Sequence, residues 1–216
     1  MLSFDSSMVT WWDQNSIGSG ATRGLWVVNS DGTGAARIVA ATSVNGYVVG
    51  WSQDDSRILF LDQSGGVNYW KTVEPDGSNL TTVYSFPTGA SPTPKILNVS
   101  NKRAWLPNNN QIVCRYREYT TDPTNQIGLL EMDGSAVFTP FSPERRAYEI
   151  MSSNQTFFGP VVFGSRAYWV EGQNLGTHKL VSVKFDGSDY RVDHDMTITW
   201  VGAFWQFSGF DWSATT

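Results

Sequence analysis

The feature that most constrains this chain is a short string that occurs four times. Asp-Gly followed by Ser or Thr stands at Asp31-Gly32-Thr33, Asp76-Gly77-Ser78, Asp133-Gly134-Ser135 and Asp186-Gly187-Ser188. Three residues before each Asp is an aliphatic residue: Val28, Val73, Leu130 and Val183. Six before it is another apolar one: Leu25, Trp70, Ile127 and Leu180. Between them, two before the Asp, stands a polar residue: Asn29, Glu74, Glu131 or Lys184. The strings are spaced by 45, 57 and 53 residues. Repetition on that scale is the mark of a repeat architecture. Asp-Gly itself is turn chemistry, because Asp bonds its own backbone and Gly accepts a positive φ.

A second strand is expected before each of these turns. It follows the polar lead-ins Asp5-Ser6-Ser7, Asp54-Asp55-Ser56, Asn108-Asn109-Asn110 and Gly164-Ser165, and covers Met8 to Trp12, Arg57 to Leu61, Gln111 to Arg115 and Arg166 to Val170. Aligned on the lead-in, one column reads Trp11, Phe60, Cys114 and Trp169, which places all four in the core. A third strand precedes the lead-in at Tyr47 to Trp51, ends at Ala104-Trp105 in the third unit, and lies around Phe157 to Phe163 in the fourth. A fourth strand follows each Asp-Gly turn: Ala36 to Ala40, Leu80 to Tyr84, Val137 to Phe141 and Asp189 to Val192. Four antiparallel strands in a unit of about 50 residues make the blade of a β-propeller, so the fold class is all-β.

The second unit resembles the blade of the TolB-type propeller family, whose motif is Trp-Ser-Pro-Asp-Gly before an apolar strand and then a strand ending in Asp-Gly-Ser. The matching residues are Trp51-Ser52-Gln53-Asp54-Asp55, then Ile58-Leu59-Phe60, then Asp76-Gly77-Ser78. The third unit keeps Trp105 and Pro107 but has Asn108-Asn109 in place of Asp-Gly. The fourth, with Ala167-Tyr168-Trp169, resembles the Tyr-Trp-Thr-Asp blades of extracellular propellers, although Val170-Glu171 replace the final Thr-Asp. Both families usually have six blades, and they include periplasmic interaction proteins, receptor ectodomains and the gating domains of some peptidases. The resemblance therefore implies an architecture and leaves activity open.

Four units are visible, as one propeller domain over 1–216 with blades at about 1–43, 44–97, 98–156 and 157–204. Leu2-Ser3 aligns with Trp51-Ser52, so the first unit lacks most of its inner strand. The stretch from Trp205 to Trp212 has the pattern of such a strand. Two arrangements follow: a four-bladed ring closed by 205–216, or an arc of a larger propeller in which 205–216 opens the next blade.

Composition narrows the function. A formal net charge of −5 and a sequence pI near 4.9 would repel a phosphate backbone, which argues against nucleic acid. No apolar run is long enough to insert in a membrane as a helix. Met1 to Ser7 lacks the basic and apolar regions of a signal peptide. The only cysteine, Cys114, cannot pair within the chain, and its place in the aromatic column reads as a small buried hydrophobe.

Groups for catalysis are sparse. His178 in Gly176-Thr177-His178 reads as a loop residue before a strand, and His194 in Asp193-His194-Asp195 as a solvated turn. Two carboxylates beside His194 could raise its pKa or help bind a cation, although a hard-cation site needs six or more oxygens. There is no Gly-x-Ser-x-Gly nucleophile elbow. Only Asp211 is a clear inner-strand carboxylate, whereas glycosidases need a facing pair. No catalytic, cofactor-binding or metal-ligating residue is therefore expected. Sequons at Asn79, Asn98 and Asn154 are about as many as chance gives a chain this rich in Asn, Ser and Thr. Long connections are expected at Phe86 to Arg103 and Arg117 to Gln126, where loops can carry recognition. Arg145 and Arg146 form a local basic pair, read as solvated surface.

These observations lead to an expectation: a non-catalytic protein-interaction scaffold, extracytoplasmic (periplasmic or secreted) by resemblance. Its partner would be a protein or carbohydrate at the loop face or axial channel. The alternatives are a carbohydrate-active propeller enzyme and a regulatory propeller belonging to a larger hydrolase. Neither the partner's identity nor the oligomeric state is legible.

Overall fold

The computed structural model describes residues 1–14, 23–41, 45–88, 95–98, 104–118, 124–142, 145–146, 160–172 and 176–198. These form four antiparallel sheets, one per repeat and in chain order, with no helix among the described residues. The first sheet is β1 (Met8–Asp13), β2 (Gly24–Asn29) and β3 (Ala36–Ala40). The second is β4 (Tyr47–Trp51), β5 (Ile58–Ser64), β6 (Val67–Val73) and β7 (Thr81–Pro87). The third is β8 (Lys95–Asn98), β9 (Gln111–Glu118), β10 (Thr124–Glu131) and β11 (Phe138–Pro140), with β12 (Arg145–Arg146) also on β10. The fourth is β13 (Val161–Phe163), β14 (Arg166–Gly172), β15 (Gly176–Lys184) and β16 (Arg191–Ile198). The sheets are the blades of a β-propeller, as the repeat predicts.

Each Asp-Gly turn closes the long hairpin of its blade by one mechanism. The Asp Oδ1 accepts the backbone N–H two residues on, from Thr33 at 2.9 Å, Ser78 at 2.8 Å, Ser135 at 2.8 Å and Ser188 at 2.9 Å. The glycines that follow have φ of 86°, 88°, 89° and 80°, which L-residues rarely adopt. The Ser or Thr hydroxyl and N–H hold all four carboxyls below the usual carboxylate range.

Packing between blades forms the core, in three clusters that each join two consecutive blades. Leu25, Val27 and Val39 meet Trp51, Ile58, Phe60 and Val73. Val49, Leu59, Trp70, Val83 and Phe86 meet Trp105, Ile112, Cys114, Leu130 and Met132. Leu106, Val113, Ile127 and Leu129 meet Val162, Ala167, Trp169, Val181 and Val183. Successive strand residues alternate between faces, so each inner blade gives one set of side chains to the blade before it and the other to the blade after. We call these the leading and trailing faces.

The structure corrects several expectations. Lys95–Asn98 is a strand of the third blade, pairing with Arg115 to Arg117, so the blade begins before residue 98 and the connection 86–103 contains an inner strand. Trp105 adds an isolated bridge to Ile112, which continues that strand after a break. The second expected loop is shorter than Arg117 to Gln126, because β9 runs to Glu118 and β10 starts at Thr124. Arg145 and Arg146 pair with Asn125 and Thr124. His178 and His194 lie within β15 and β16, paired with Gly172 and Leu180 respectively. Polar Thr177, His178 and Asp193 to Asp195 continue these two long strands without an apolar pattern. In the first blade Leu2 bridges Val9, the last step of the otherwise missing inner strand. Residues 205–216, and with them the expected closing strand and Asp211, lie outside the described residues. So do Phe157 and Asn154.

Candidate functional site

Because the repeats align residue by residue, their leading faces can be compared directly. Trp51, Ile58, Phe60 and Val73 in the second blade correspond to Trp105, Ile112, Cys114 and Leu130 in the third, and to Val162, Ala167, Trp169 and Val183 in the fourth. All twelve are buried. Their counterparts in the first blade are Leu2, Val9, Trp11 and Val28. Leu2 and Trp11 are each 38 % exposed, and Val9 and Val28 are only half-buried. Trp11 is thus no core residue, contrary to its column. Trp26, opposite it on β2, stacks on its ring at 5.9 Å and 15°. Leu2, Val9, Trp11, Trp26 and Val28 thus lie side by side on one face of the first sheet.

The turn glycines report the same asymmetry. A Cβ on Gly77 would stand 3.1 Å from the Ile38 carbonyl oxygen of the blade before, on Gly134 3.3 Å from that of Thr82, and on Gly187 3.4 Å from that of Phe141. Each turn is therefore seated against the outer edge of the preceding blade. On Gly32 the same Cβ would meet nothing within 4 Å.

A second set of contacts joins the lead-in turns. Ser6, Asp55 and Asn109 occupy equivalent positions with left-handed φ of 63°, 57° and 54°. Asp55 Oδ1 and Oδ2 accept the backbone N–H groups of Phe4 (2.6 Å) and Asp5 (2.8 Å) in the blade before. Asn109 Oδ1 likewise accepts the N–H of Gln53 at 2.9 Å, and Arg57 donates Nη2 to the Asn109 carbonyl at 3.0 Å. Arg57 also lies over the Trp105 ring at 5.8 Å. Between the third and fourth blades both halves of the contact are gone. Pro107 stands where Phe4 and Gln53 supply their N–H, and the fourth blade replaces the four-residue lead-in with the two-residue hairpin Gly164-Ser165. The sequence signal for this row of contacts was the lead-in column itself.

The remaining candidates are dispersed. Cys114 is fully buried, and burial pushes its thiol pKa up, which keeps it protonated and unreactive. His194 is exposed. Asn79 is exposed at a φ of 53° and its Nδ2 donates to Glu74 Oε1 at 2.7 Å. No group of three His, Cys, Asp or Glu able to hold a metal occurs among the described residues. Sequence reading missed one buried ion pair: Asp62 is 1 % exposed, on the same face as Phe60, with Oδ2 on Lys71 Nζ at 2.8 Å. An apolar run ending in Leu61 gave no sign that the next residue would be buried with its charge.

Comparison with known proteins places this geometry in a fold. No family model and no curated protein matches the chain. Among solved structures it is similar to a protein assigned as TolB from Agrobacterium tumefaciens, with 16 % identity and a TM-score of 0.54 over 91 % of this chain and 64 % of that one. It is also similar to an oligogalacturonate lyase from Vibrio parahaemolyticus, with 11 % identity and a TM-score of 0.56 over 88 % of this chain and 50 % of that one. A prolyl endopeptidase structure gives 10 % identity and a TM-score of 0.52 over 85 % of this chain and 26 % of that one. The shared property is the propeller fold. The chain spans less than two thirds of the length of these neighbours. No helix among the described residues is long and apolar enough to cross a membrane.

Proposed function

We propose that the chain is a non-catalytic interaction scaffold of TolB-like propeller type, and that the leading face of its first blade is the surface it offers to a protein partner. The observation that carries this reading is the exposure of Trp11 and Leu2 in columns that are buried in all three other blades. Contiguous apolar surface beside a polar rim is characteristic of binding faces. The long connections to which the sequence assigned recognition fall largely on residues 89–94, 99–103 and 119–123, outside the described residues. An extracytoplasmic setting, supported by the resemblance, belongs to the same proposal.

One observation favours a second reading. The stacked and partly exposed Trp11–Trp26 pair is a flat platform on which a sugar ring could lie, as a carbohydrate-binding or carbohydrate-active propeller would require.

The two readings separate in one experiment on the purified chain. As a scaffold it enhances the emission of an apolar probe such as anilinonaphthalene sulfonate, loses most of that enhancement in Trp11→Glu, and turns over neither oligogalacturonate nor prolyl peptides. Turnover of either substrate, lost on substituting His194, would overturn the scaffold reading. Saturable oligosaccharide binding lost in Trp11→Glu would select the second.

A further inference from the structure

We propose that Asn45 is a modification site, where the folded chain deamidates through a cyclic succinimide to aspartate and isoaspartate. The inference goes beyond the scaffold reading and does not depend on it. Asn45-Gly46 is the only Asn-Gly pair in the sequence. Deamidation begins when the backbone nitrogen of the following residue attacks the Asn side-chain carbonyl carbon, and glycine has no Cβ to hinder that approach.

The same attack is conceivable at the four Asp-Gly turns, and the structure closes it there in two ways. The glycine N–H, which is the nucleophile, already donates to a carbonyl three residues back: Gly32 to Asn29, Gly77 to Glu74 and Gly187 to Lys184, each at 2.9 Å. The four carboxyls are also held below the usual carboxylate range by the neighbouring hydroxyl and N–H, and an ionised carboxylate is a poor electrophile. Asn45 differs on both counts. Its side chain is an exposed neutral amide just before β4. Among the described residues, none accepts a hydrogen bond from the Gly46 N–H.

Packing is what requires glycine at position 46. A Cβ there would strike Cε2 and Cζ2 of the Trp12 ring and stand 2.8 Å from the Leu61 carbonyl oxygen. Trp12 in turn stacks on Phe60 at 5.8 Å, and the Gly46 carbonyl accepts Gln14 Nε2 at 3.0 Å. The contact between the first and second blades therefore keeps, beside an exposed asparagine, the one residue that leaves its amide open to attack. One bond opposes the reaction: Asn45 Nδ2 donates to Gln63 Oε1 at 2.7 Å. It is exposed, where water replaces a lost partner at little cost, so it slows the amide without blocking it.

In the first step the Gly46 nitrogen loses its proton to hydroxide and bonds Asn45 Cγ. The Cγ–Nδ2 bond breaks, and Nδ2 leaves as ammonia. Water then cleaves the ring at Cγ to give aspartate, or at the main-chain carbonyl to give isoaspartate. Either product adds a negative charge to the formal −5. Neither can donate to Gln63, because a carboxylate carries no hydrogen. Isoaspartate also runs the main chain through the side-chain carbon, and the added methylene displaces Gly46 from its seat against Trp12.

The test is prolonged incubation of the intact chain in mildly alkaline oxygen-18 water, then digestion with an acid-active protease and peptide mass spectrometry. The peptide holding Asn45 should show the amide-to-acid mass change with one heavy oxygen, which dates the reaction to the incubation. It should convert at least about tenfold faster than any other asparagine peptide. Isoaspartyl methyltransferase should label that peptide and not those holding Asp31, Asp76 or Asp186. Asn45→Gln should abolish the conversion, because the longer side chain closes a less favoured six-membered ring. The isoaspartate form, separated by ion exchange, should unfold at lower urea than the unmodified chain. Conversion in urea but not in the folded chain would overturn the proposal, since the fold would then protect Asn45. Aspartate without isoaspartate would overturn the cyclic route. Equal labelling of the Asp-Gly turns would overturn the contrast that singles out Asn45.

Discussion

The first and second blades present nearly the same list of residue types to their leading side, and the list does not determine what happens to them. Trp51 and Phe60 are fully buried, whereas Leu2 and Trp11, in the same columns, are each 38 % exposed. The central hairpin and its Asp-Gly turn are common to both blades, although the first keeps only the Leu2–Val9 bridge where the second has the whole inner strand β4. The neighbour differs as well. The leading face of the second blade packs on Leu25, Val27 and Val39, whereas Leu2, Val9, Trp11 and Val28 belong to none of the three buried clusters. Burial in a repeat protein is thus a property of the interface between units as much as of the unit.

The comparison is most easily broken with large side chains. Trp51→Ala or Trp105→Ala removes a fully buried indole and should cost about 3–5 kcal/mol, whereas Leu2→Ala in the same column should cost under about 1 kcal/mol in the monomer. Urea denaturation of the three variants at a concentration where the chain is monomeric would check the difference. A Leu2→Ala cost equal to that of Trp51→Ala would show that the first blade is covered after all.

A smaller effect sharpens the comparison between interfaces. Asp55→Ala and Asn109→Ala each strand backbone N–H groups of the blade before, and should lose about 1–2 kcal/mol. Ser6→Ala, at the equivalent left-handed position of the first blade, removes no contact to a preceding blade and should fall within about 0.5 kcal/mol of wild type. Thermal unfolding of the three variants gives the ranking. Equal losses would mean that the lead-in residues matter only within their own turns.

Much of this fold is legible in sequence because each blade is punctuated by chemistry with one physical meaning. Asp31, Asp76, Asp133 and Asp186 predict their own turns, and the residues three and six before them predict the two faces. Longer strands were harder to follow. Thr177 and His178 lie near the start of β15, and the acidic flank of His194 lies in the middle of β16, the outer strand of its sheet, where an apolar pattern is not required. Lys95–Asn98 was hidden by the prolines before it. The open face was beyond a reading of the repeat alone, since alignment predicts equivalence and the first blade departs from it. Gly128 shows the same limit in reverse. A Cβ there would strike the Phe138 ring at 2.5 Å, the ring that stacks on Tyr116 at 4.8 Å, and nothing in the local sequence announces that demand.

The most direct test of the central claim, that the first blade departs from the packing its counterparts share, is the stability of Gly32→Asn, Gly77→Asn, Gly134→Asn and Gly187→Asn measured side by side. The backbone requirement is nearly equal at the four positions, with φ from 80° to 89°, so differences between variants report the adjoining blade. Gly32→Asn should lose only the backbone cost of a side chain at that φ, about 1 kcal/mol, while Gly77→Asn and Gly134→Asn lose about 1–3 kcal/mol more as the new side chain presses on Ile38 or Thr82, and Gly187→Asn, whose Cβ would stand at ordinary contact distance from Phe141, falls between them. Four equal losses would contradict the account, because the glycines would then serve the turn alone and say nothing of a neighbouring blade.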